Sequence, residues 1–244
     1  MNTRPVRPRS PYLIAPAYLA GPDEHATQHL INSLHSAGWQ DQALREVRVF
    51  HLRESDGLLE AIHNPAEPNP AYRDRLAVGW EITARRAPGI PAAWTVRFAP
   101  TTPPELITAF TTALTDPAHT AEPGKAPHYL NAPSLPAQAT GPLEAAGWIR
   151  DVGSDGCAWY GPDEQAAAVT PTISRTPEND DPNWLFAARR AIDTTTLWHA
   201  TAHPNTPTHL LTALCAAFAS TRPVARATRP GPEIGPVTIT RTAH

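Results

Sequence analysis

Residues 80–116 recur without a gap 104 positions downstream, and thirteen of the 37 paired positions are identical. Trp80-Glu-Ile-Thr-Ala-Arg-Arg-Ala87 falls on Trp184-Leu-Phe-Ala-Ala-Arg-Arg-Ala191, Trp94 falls on Trp198, and Pro100-Thr-Thr-Pro-Pro-Glu-Leu106 falls on Pro204-Asn-Thr-Pro-Thr-His-Leu210. So many identities mark an internal duplication, and a period near 105 residues is a whole domain, not a solenoid unit. Upstream the offset grows by five: Leu34 meets Leu143, Gly38-Trp39 meets Gly147-Trp148, Phe50 meets Trp159, and Pro16–Pro22 resembles Pro127–Pro133. The missing five residues are expected between Trp148 and Trp184, opposite the Pro- and Asn-rich stretch Asn64–Asp74, because length changes are absorbed by surface loops. The expected layout is a basic arm (1–10), repeat 1 (11–116), a linker (117–126), repeat 2 (127–221) and a basic, Pro-rich tail (222–244).

At 244 residues with 41% hydrophobic content, two small globular domains are the natural reading. Proline is abundant at 29 residues and gathers in loops and in the Asp116–Pro142 joint, where it stiffens connections and ends helices. Nineteen of the twenty basic residues are Arg, with Lys125 alone, a bias that together with Ala, Pro and Thr points to a high-GC bacterial genome. Cys157 and Cys215 stand in unrelated contexts and form no disulfide framework; Cys215 lies on an apolar helix stripe, where a small buried thiol is ordinary. The N-terminus lacks an apolar leader core, and no run of about 18 apolar residues occurs, so a soluble, cytoplasmic protein is expected. Arg4, Arg7 and Arg9 give residues 1–10 a charge of +3; four Arg against Glu233 give 222–244 another +3, which leaves the body at −9 of the net −3. Basic arms on an acidic body fit an anionic partner reached by the arms, or simple solvation.

Within one copy, Thr102-Pro-Pro-Glu105 reads as a helix start with Thr102 as cap and Glu105 completing a capping box. Leu106, Ile107, Phe110, Ala113 and Leu114 then form one stripe, repeated as Leu210, Leu211, Leu214, Cys215 and Phe218. Trp80, Ile82 and Ala84 alternate with Glu81, Thr83 and Arg85, and Trp94, Val96 and Phe98 alternate with Thr95 and Arg97, which predicts half-buried antiparallel strands. Arg45–Arg53 and Leu58–His63 read as an earlier hairpin turning at Ser55-Asp-Gly57, with its counterpart turning at Gly161-Pro-Asp163. A helix over Glu24–Ala37 precedes Gly38; repeat 2 offers only Pro142–Ala146 for this role, so its opening helix is expected short or lost. The fold class expected is α+β: two tandem repeats, each an antiparallel sheet of about four strands with a C-terminal helix packed on one face.

Chemistry is hard to find. The chain has no glycine-rich nucleotide loop, no Gly-x-Ser-x-Gly and no His-Glu-x-x-His. His25/His29 and His199/His203 have the separation of paired metal ligands, but no third ligand repeats, and zinc needs three or four. No catalytic residue, metal or cofactor is therefore expected. The seven tryptophans occur as Trp39/Trp148, Trp80/Trp184 and Trp94/Trp198, with Trp159 in place of Phe50. Such repetition reads as core packing more readily than as a platform for stacking bases. Arg85-Arg86 and Arg189-Arg190 are the only charged positions repeated in register; they either form a pseudo-two-fold anion-binding surface for phosphates, or each pairs with a local carboxylate or ends a strand in water.

Tyr18-Leu-Ala-Gly-Pro-Asp23, Gly38-Trp39, then Trp80, Trp94-Thr-Val-Arg-Phe98 and Thr102-Pro-Pro-Glu-Leu106 resemble the SPDY domain. This is a family of unknown function from Streptomyces and related actinobacteria, often in tandem. The resemblance spans both copies, roughly 12–220, while the motif that names the family is degraded to Ser55-Asp56-Gly57 and Gly161-Pro162-Asp163. It carries no catalytic residues; the neighbourhood of such genes to mobile elements implies a DNA-related role by association. The leading expectation is a non-enzymatic tandem binding protein contacting DNA through Arg85, Arg86, Arg97, Arg189, Arg190, Arg222, Arg226 and Arg229. The alternative is a protein–protein interaction or regulatory adaptor module that uses an exposed Trp-bearing sheet face or the groove between the repeats. The acidic body suits it better, since acidic surface repels a phosphate backbone.

Overall fold

Strict alternation over Trp80–Arg85 and Trp94–Phe98 puts every aromatic on one face, and that face must be covered. In the computed structural model it is. The structure describes residues 12–42, 50–54, 56–64, 78–116, 127–153, 156–171, 183–231, 234–235 and 237–241. The elements are β1 (Tyr12–Ala15), α1 (Glu24–Ser36), β2 (Gln40–Asp41), β3 (Phe50–Arg53), β4 (Leu59–His63), β5 (Trp80–Arg85), β6 (Ala92–Phe98) and α2 (Pro104–Thr115) in the first half. The second half has α3 (Pro136–Ala145), β7 (Ile149–Gly153), β8 (Gly156–Tyr160), β9 (Ala166–Val169), β10 (Trp184–Arg189), β11 (Thr196–Ala202), α4 (Thr208–Phe218), β12 (Val224–Arg226) and β13 (Thr238–Arg241). Short 3-10 turns occur at Ala17–Leu19 and His128–Leu130. Among the described residues no helix is long and apolar enough to cross a membrane.

The α+β class holds, but the repeats do not own separate four-stranded sheets. Ten strands form one antiparallel sheet in the order β2-β3-β4-β5-β6-β11-β10-β9-β8-β7, five from each half. The join is β6 on β11, with Val96, Arg97 and Phe98 opposite Ala202, Thr201 and Ala200. Arg97 thus faces its own repeat equivalent, Thr201, and the pairing is self-complementary about that point, as in a two-fold dimer interface. Backbone bonds flank it symmetrically: Ala99 N–H donates to His199 O (2.9 Å) and His203 N–H to Thr95 O (3.0 Å).

The helices form one layer, α1 against α2, α2 against α4 and α4 against α3. Phe110 meets Trp94 edge-on at 6.0 Å and Phe218 meets Trp198 at 5.3 Å. The aromatic plug sits one turn later in repeat 2, where Leu214 and Phe218 replace Phe110 and Leu114. All seven tryptophans are buried, none more than 6% exposed, so they belong to the core beneath the helices. The expected Trp-bearing exposed sheet face does not exist.

Several local expectations are corrected. Pro103, not Thr102, occupies the cap of α2 and makes no side-chain bond, while Thr102 is buried and reaches His199 O of the other repeat. The opening helix of repeat 2 is present as α3, with Pro136 in its first turn and Pro142 inside. Trp159 stands opposite Ala168 as Leu52 stands opposite Ala61, so its structural counterpart is Leu52, not Phe50. The five-residue offset is therefore shared between two segments, one on each side of the β3–β4 and β8–β9 hairpins. The tail is folded as well: β12 and β13 flank β1 in a small antiparallel sheet. The expected strand over 45–49, Ser55, the N-terminal arm and the linker lie outside the described residues.

The repeats also exchange their leading segments. Trp198 Nε1–H donates to Tyr18 O of repeat 1, and Trp94 Nε1–H donates to Tyr129 O of repeat 2, both at 2.7 Å. The Tyr18 hydroxyl donates to Asp163 (2.5 Å), and the Tyr129 hydroxyl donates to Asp56 (3.3 Å). Each repeat is completed by the other's arm.

Candidate functional site

Because every helix lies on one side, the opposite face of the ten-stranded sheet carries the side chains that alternate outward. Among the described residues no helix covers it. On the repeat 1 half this face is an ionic network. Glu60 is buried at 8% exposure and accepts from Arg53 Nη2 and Arg85 Nη1, each at 2.9 Å, and contacts His51 Nε2. Burial pushes its carboxyl up, but hydrogen bonds from Arg53, His51 and Arg85 outweigh this and hold it at about 2. Next to it, Arg97 Nε donates to Glu81 (2.7 Å) across the β5–β6 pair.

Repeat 2 lacks this network position by position. The strand registers place Ala167 where repeat 1 has Glu60, Ala158 for His51, Tyr160 for Arg53, Leu185 for Glu81 and Ala187 for Thr83. Leu185 and Tyr160 are 39% and 38% exposed. Arg189 keeps the place of Arg85, and both follow an equivalent bulge, between Ala84 and Arg85 and between Ala188 and Arg189. With Ala167 in place of the glutamate, Arg189 is exposed and has no carboxylate partner among the described residues. The outward side chains of β8–β10 form an apolar strip bordered by Arg189, by Asp151 of β7 and by His199 and Thr201 of β11.

The eight arginines expected to form one surface do not converge. Arg226 is buried at 4% exposure, its guanidinium forked onto Glu105 (2.6 and 2.7 Å) and bonded to Ala20 O and Gly21 O. A guanidinium buried on Glu105 in this way cannot reach an anion at the surface, so Arg226 is no part of an anion-binding surface. Arg85 and Arg97 are tied to Glu60 and Glu81, and Arg190 reaches Asp193 at 3.4 Å. Arg86, Arg189, Arg222 and Arg229 are exposed. Arg85 lies level with Ala92 and Arg189 with Thr196, at opposite ends of the central strands. Ten residues of rise and three strand spacings put these two about 35 Å apart. No group of three or more His, Cys, Asp or Glu among the described residues could hold a metal ion.

Residues 55–120 and 162–224 each match the family described as SPDY: Domain of unknown function (DUF317), together more than half of the chain. The chain belongs to the SPDY family. No curated protein and no solved structure matches it. The two SPDY matches begin at the Ser55-Asp-Gly57 and Gly161-Pro-Asp163 turns, so the exchanged arms, α1 and α3 fall outside them.

The aspartate of the degraded motif has the same task in both SPDY copies. One oxygen closes its own turn, Asp56 accepting from Leu58 N–H (2.9 Å) and Asp163 from Gln165 N–H (3.1 Å), while the other receives the arm tyrosine of the opposite copy. Sequence reasoning saw a turn here and missed the latch. The copies differ at Glu54, whose counterpart is Gly161. Burial, then the charge of Asp56, raise the Glu54 carboxyl from near 4.5 to about 7. Folded Glu54 therefore binds its proton more tightly than the unfolded chain does, so stability is greatest below pH 4.5 from this group and falls as pH rises through 7. Chemical denaturation across that window should show this decline, and Glu54→Gln should flatten it; an unchanged slope in the variant would assign it elsewhere.

Proposed function

We propose that this SPDY protein is a non-enzymatic tandem-domain binding protein that holds another protein on the helix-free face of its sheet. The observation that carries the reading is that Leu185, Ala187, Ala158, Ala167 and Tyr160 stand where repeat 1 has its ionic network, with Arg189 at their border and without a carboxylate partner among the described residues. A matching partner offers an apolar ridge flanked by a carboxylate. Hydrophobic burial then supplies affinity and Arg189 supplies orientation. Affinity capture followed by titration of the purified partner tests this. Leu185→Asp should weaken binding at least about tenfold, as loss of a central anchor does, whereas Glu81→Ala at the equivalent place in repeat 1 should not. Equal binding by Leu185→Asp would refute the assignment of this face.

A nucleic-acid reading is favoured by one observation, the spacing of about 35 Å between Arg85 and Arg189, which is close to one turn of duplex DNA. Against it, carboxylates occupy Arg85, Arg97, Arg190 and Arg226. If DNA is the ligand, a gel shift at low salt should fade steeply as salt rises and vanish when Arg85 and Arg189 are both replaced by Ala. No shift at any protein concentration would leave the protein partner as the only reading.

A further inference from the structure

Where the arm of repeat 1 lands on repeat 2, the two enclose a cavity of about 540 Å³. Its lining includes Tyr18 and Trp148, Pro162 and Asp163, and Thr238 and Thr240 of the tail strand β13. The equivalent junction on repeat 1 has a cavity of about 570 Å³ with Tyr129, Trp39 and Asp56 in corresponding positions. There the extra carboxylate of Glu54 lies beside Asp56, and burial, then the charge of Asp56, raise the Glu54 carboxyl to about 7. At the repeat 2 junction Asp163 stands alone. Its oxygens accept only from neutral donors, the Tyr18 hydroxyl and the Gln165 amide, and no Arg, Lys or His among the described residues pairs with it. A half-buried carboxylate on the wall of a mainly apolar cavity lacks a counter-charge.

We propose that the repeat 2 cavity binds a small organic cation, an ammonium group carried on an apolar aromatic body. The volume suits such a molecule, since small-ligand pockets run from about 300 to 1,000 Å³. The ammonium sits against Asp163. The aromatic body lies against Tyr18 and Trp148, whose rings also favour a nearby positive charge. Because the wall is built by both repeats, the site exists only when the arm is docked, and an occupied site strengthens the exchange.

Tryptamine is a suitable probe, with tryptophol, its neutral alcohol analogue, as control, titrated into the full chain by calorimetry. Asp163→Asn keeps an oxygen for the Gln165 backbone N–H and turns its amide N–H toward the Tyr18 hydroxyl oxygen, which can accept it, while removing the charge. Tryptamine should bind saturably and tryptophol at least about tenfold more weakly, a difference of roughly 1.4 kcal/mol. In Asp163→Asn, checked by circular dichroism to be folded, the number of tryptamine molecules bound per chain should fall by one. The absence of saturable binding at millimolar tryptamine, equal binding of tryptophol, or an unchanged stoichiometry in folded Asp163→Asn would each overturn the proposal. If Asp163→Asn does not fold, the amine-to-alcohol comparison on the unaltered chain decides alone. None of these outcomes touches the sheet face, so the partner reading stands or falls separately.

Discussion

Replacing Arg226 by Ala should destabilise the protein by about 3 kcal/mol, because removing one member of a buried ion pair strands the other. For a chain of this size that lowers the melting temperature by roughly 10 °C. Arg226 joins three separate pieces of the chain. Its fork holds Glu105 in the first turn of α2, its Nε–H and one Nη–H hold the carbonyls that end the first arm, and its backbone pairs with Tyr12 in the small sheet. Glu105 is 28% exposed, so water can reach it once the arginine is gone, which places the loss at the lower end of the range for buried pairs. Arg226→Lys should recover part of the stability, since an ammonium keeps the charge but cannot make the bidentate contact. Thermal melts followed by circular dichroism check both. A melt of Arg226→Ala that matches the parent would show that the tail is not anchored in this way.

The second large effect is expected at Tyr18. Its ring is 4% exposed and lies edge-on to Trp148 (6.3 Å) and Phe218 (5.5 Å), within the core of the repeat to which it does not belong. Burial, and then its bond to Asp163, keep the hydroxyl protonated well beyond the usual tyrosine range. Tyr18→Ala should cost about 3–5 kcal/mol as a large-to-small core change. Tyr18→Phe should cost about 1–2 kcal/mol, the loss of one hydrogen bond to a charged acceptor. Tyr129→Ala should behave like Tyr18→Ala, because it makes the reciprocal contact. Tryptophan fluorescence during urea unfolding measures all three. A Tyr18→Ala variant as stable as the parent would mean that the arm contributes little to repeat 2.

The strands carrying Trp80 and Trp94, the helices α2 and α4 and the equivalence of the two copies are legible in the sequence, because period-two and period-3.6 patterns report which face is covered. Pairing between distant elements is not. Thr95, Arg97, His199 and Thr201 would point outward whether β6 and β11 ended two sheets or joined one, so alternation cannot distinguish the cases. The exchange of arms is hidden for a similar reason: Tyr18-Leu19 and Tyr129-Leu130 announce short apolar turns without saying which repeat receives them. Glu105 has a persuasive local explanation as part of a capping box, and its actual partner lies 121 residues away in a segment whose prolines read as loose chain. The ionic network escaped notice because Glu60 sits in Leu59-Glu-Ala-Ile-His63, where a buried acid breaks no obvious pattern until Arg53 and Arg85 are seen beside it. The equivalence of the two arginine pairs is legible in the sequence, yet a two-fold axis through Arg97 and Thr201 sends them to opposite ends of the sheet.

The two SPDY copies form one interlocked unit, and cutting the chain between them tests this most directly. A specific protease site placed within residues 117–126 of the 244-residue chain allows the connection to be severed after folding. Since the β6–β11 pairing, the α2–α4 contact and both tyrosine latches remain, the two pieces should co-elute in size-exclusion chromatography at the volume of the uncut chain and separate only in denaturant. Two independently eluting pieces under native conditions would contradict the shared sheet and the exchanged arms together.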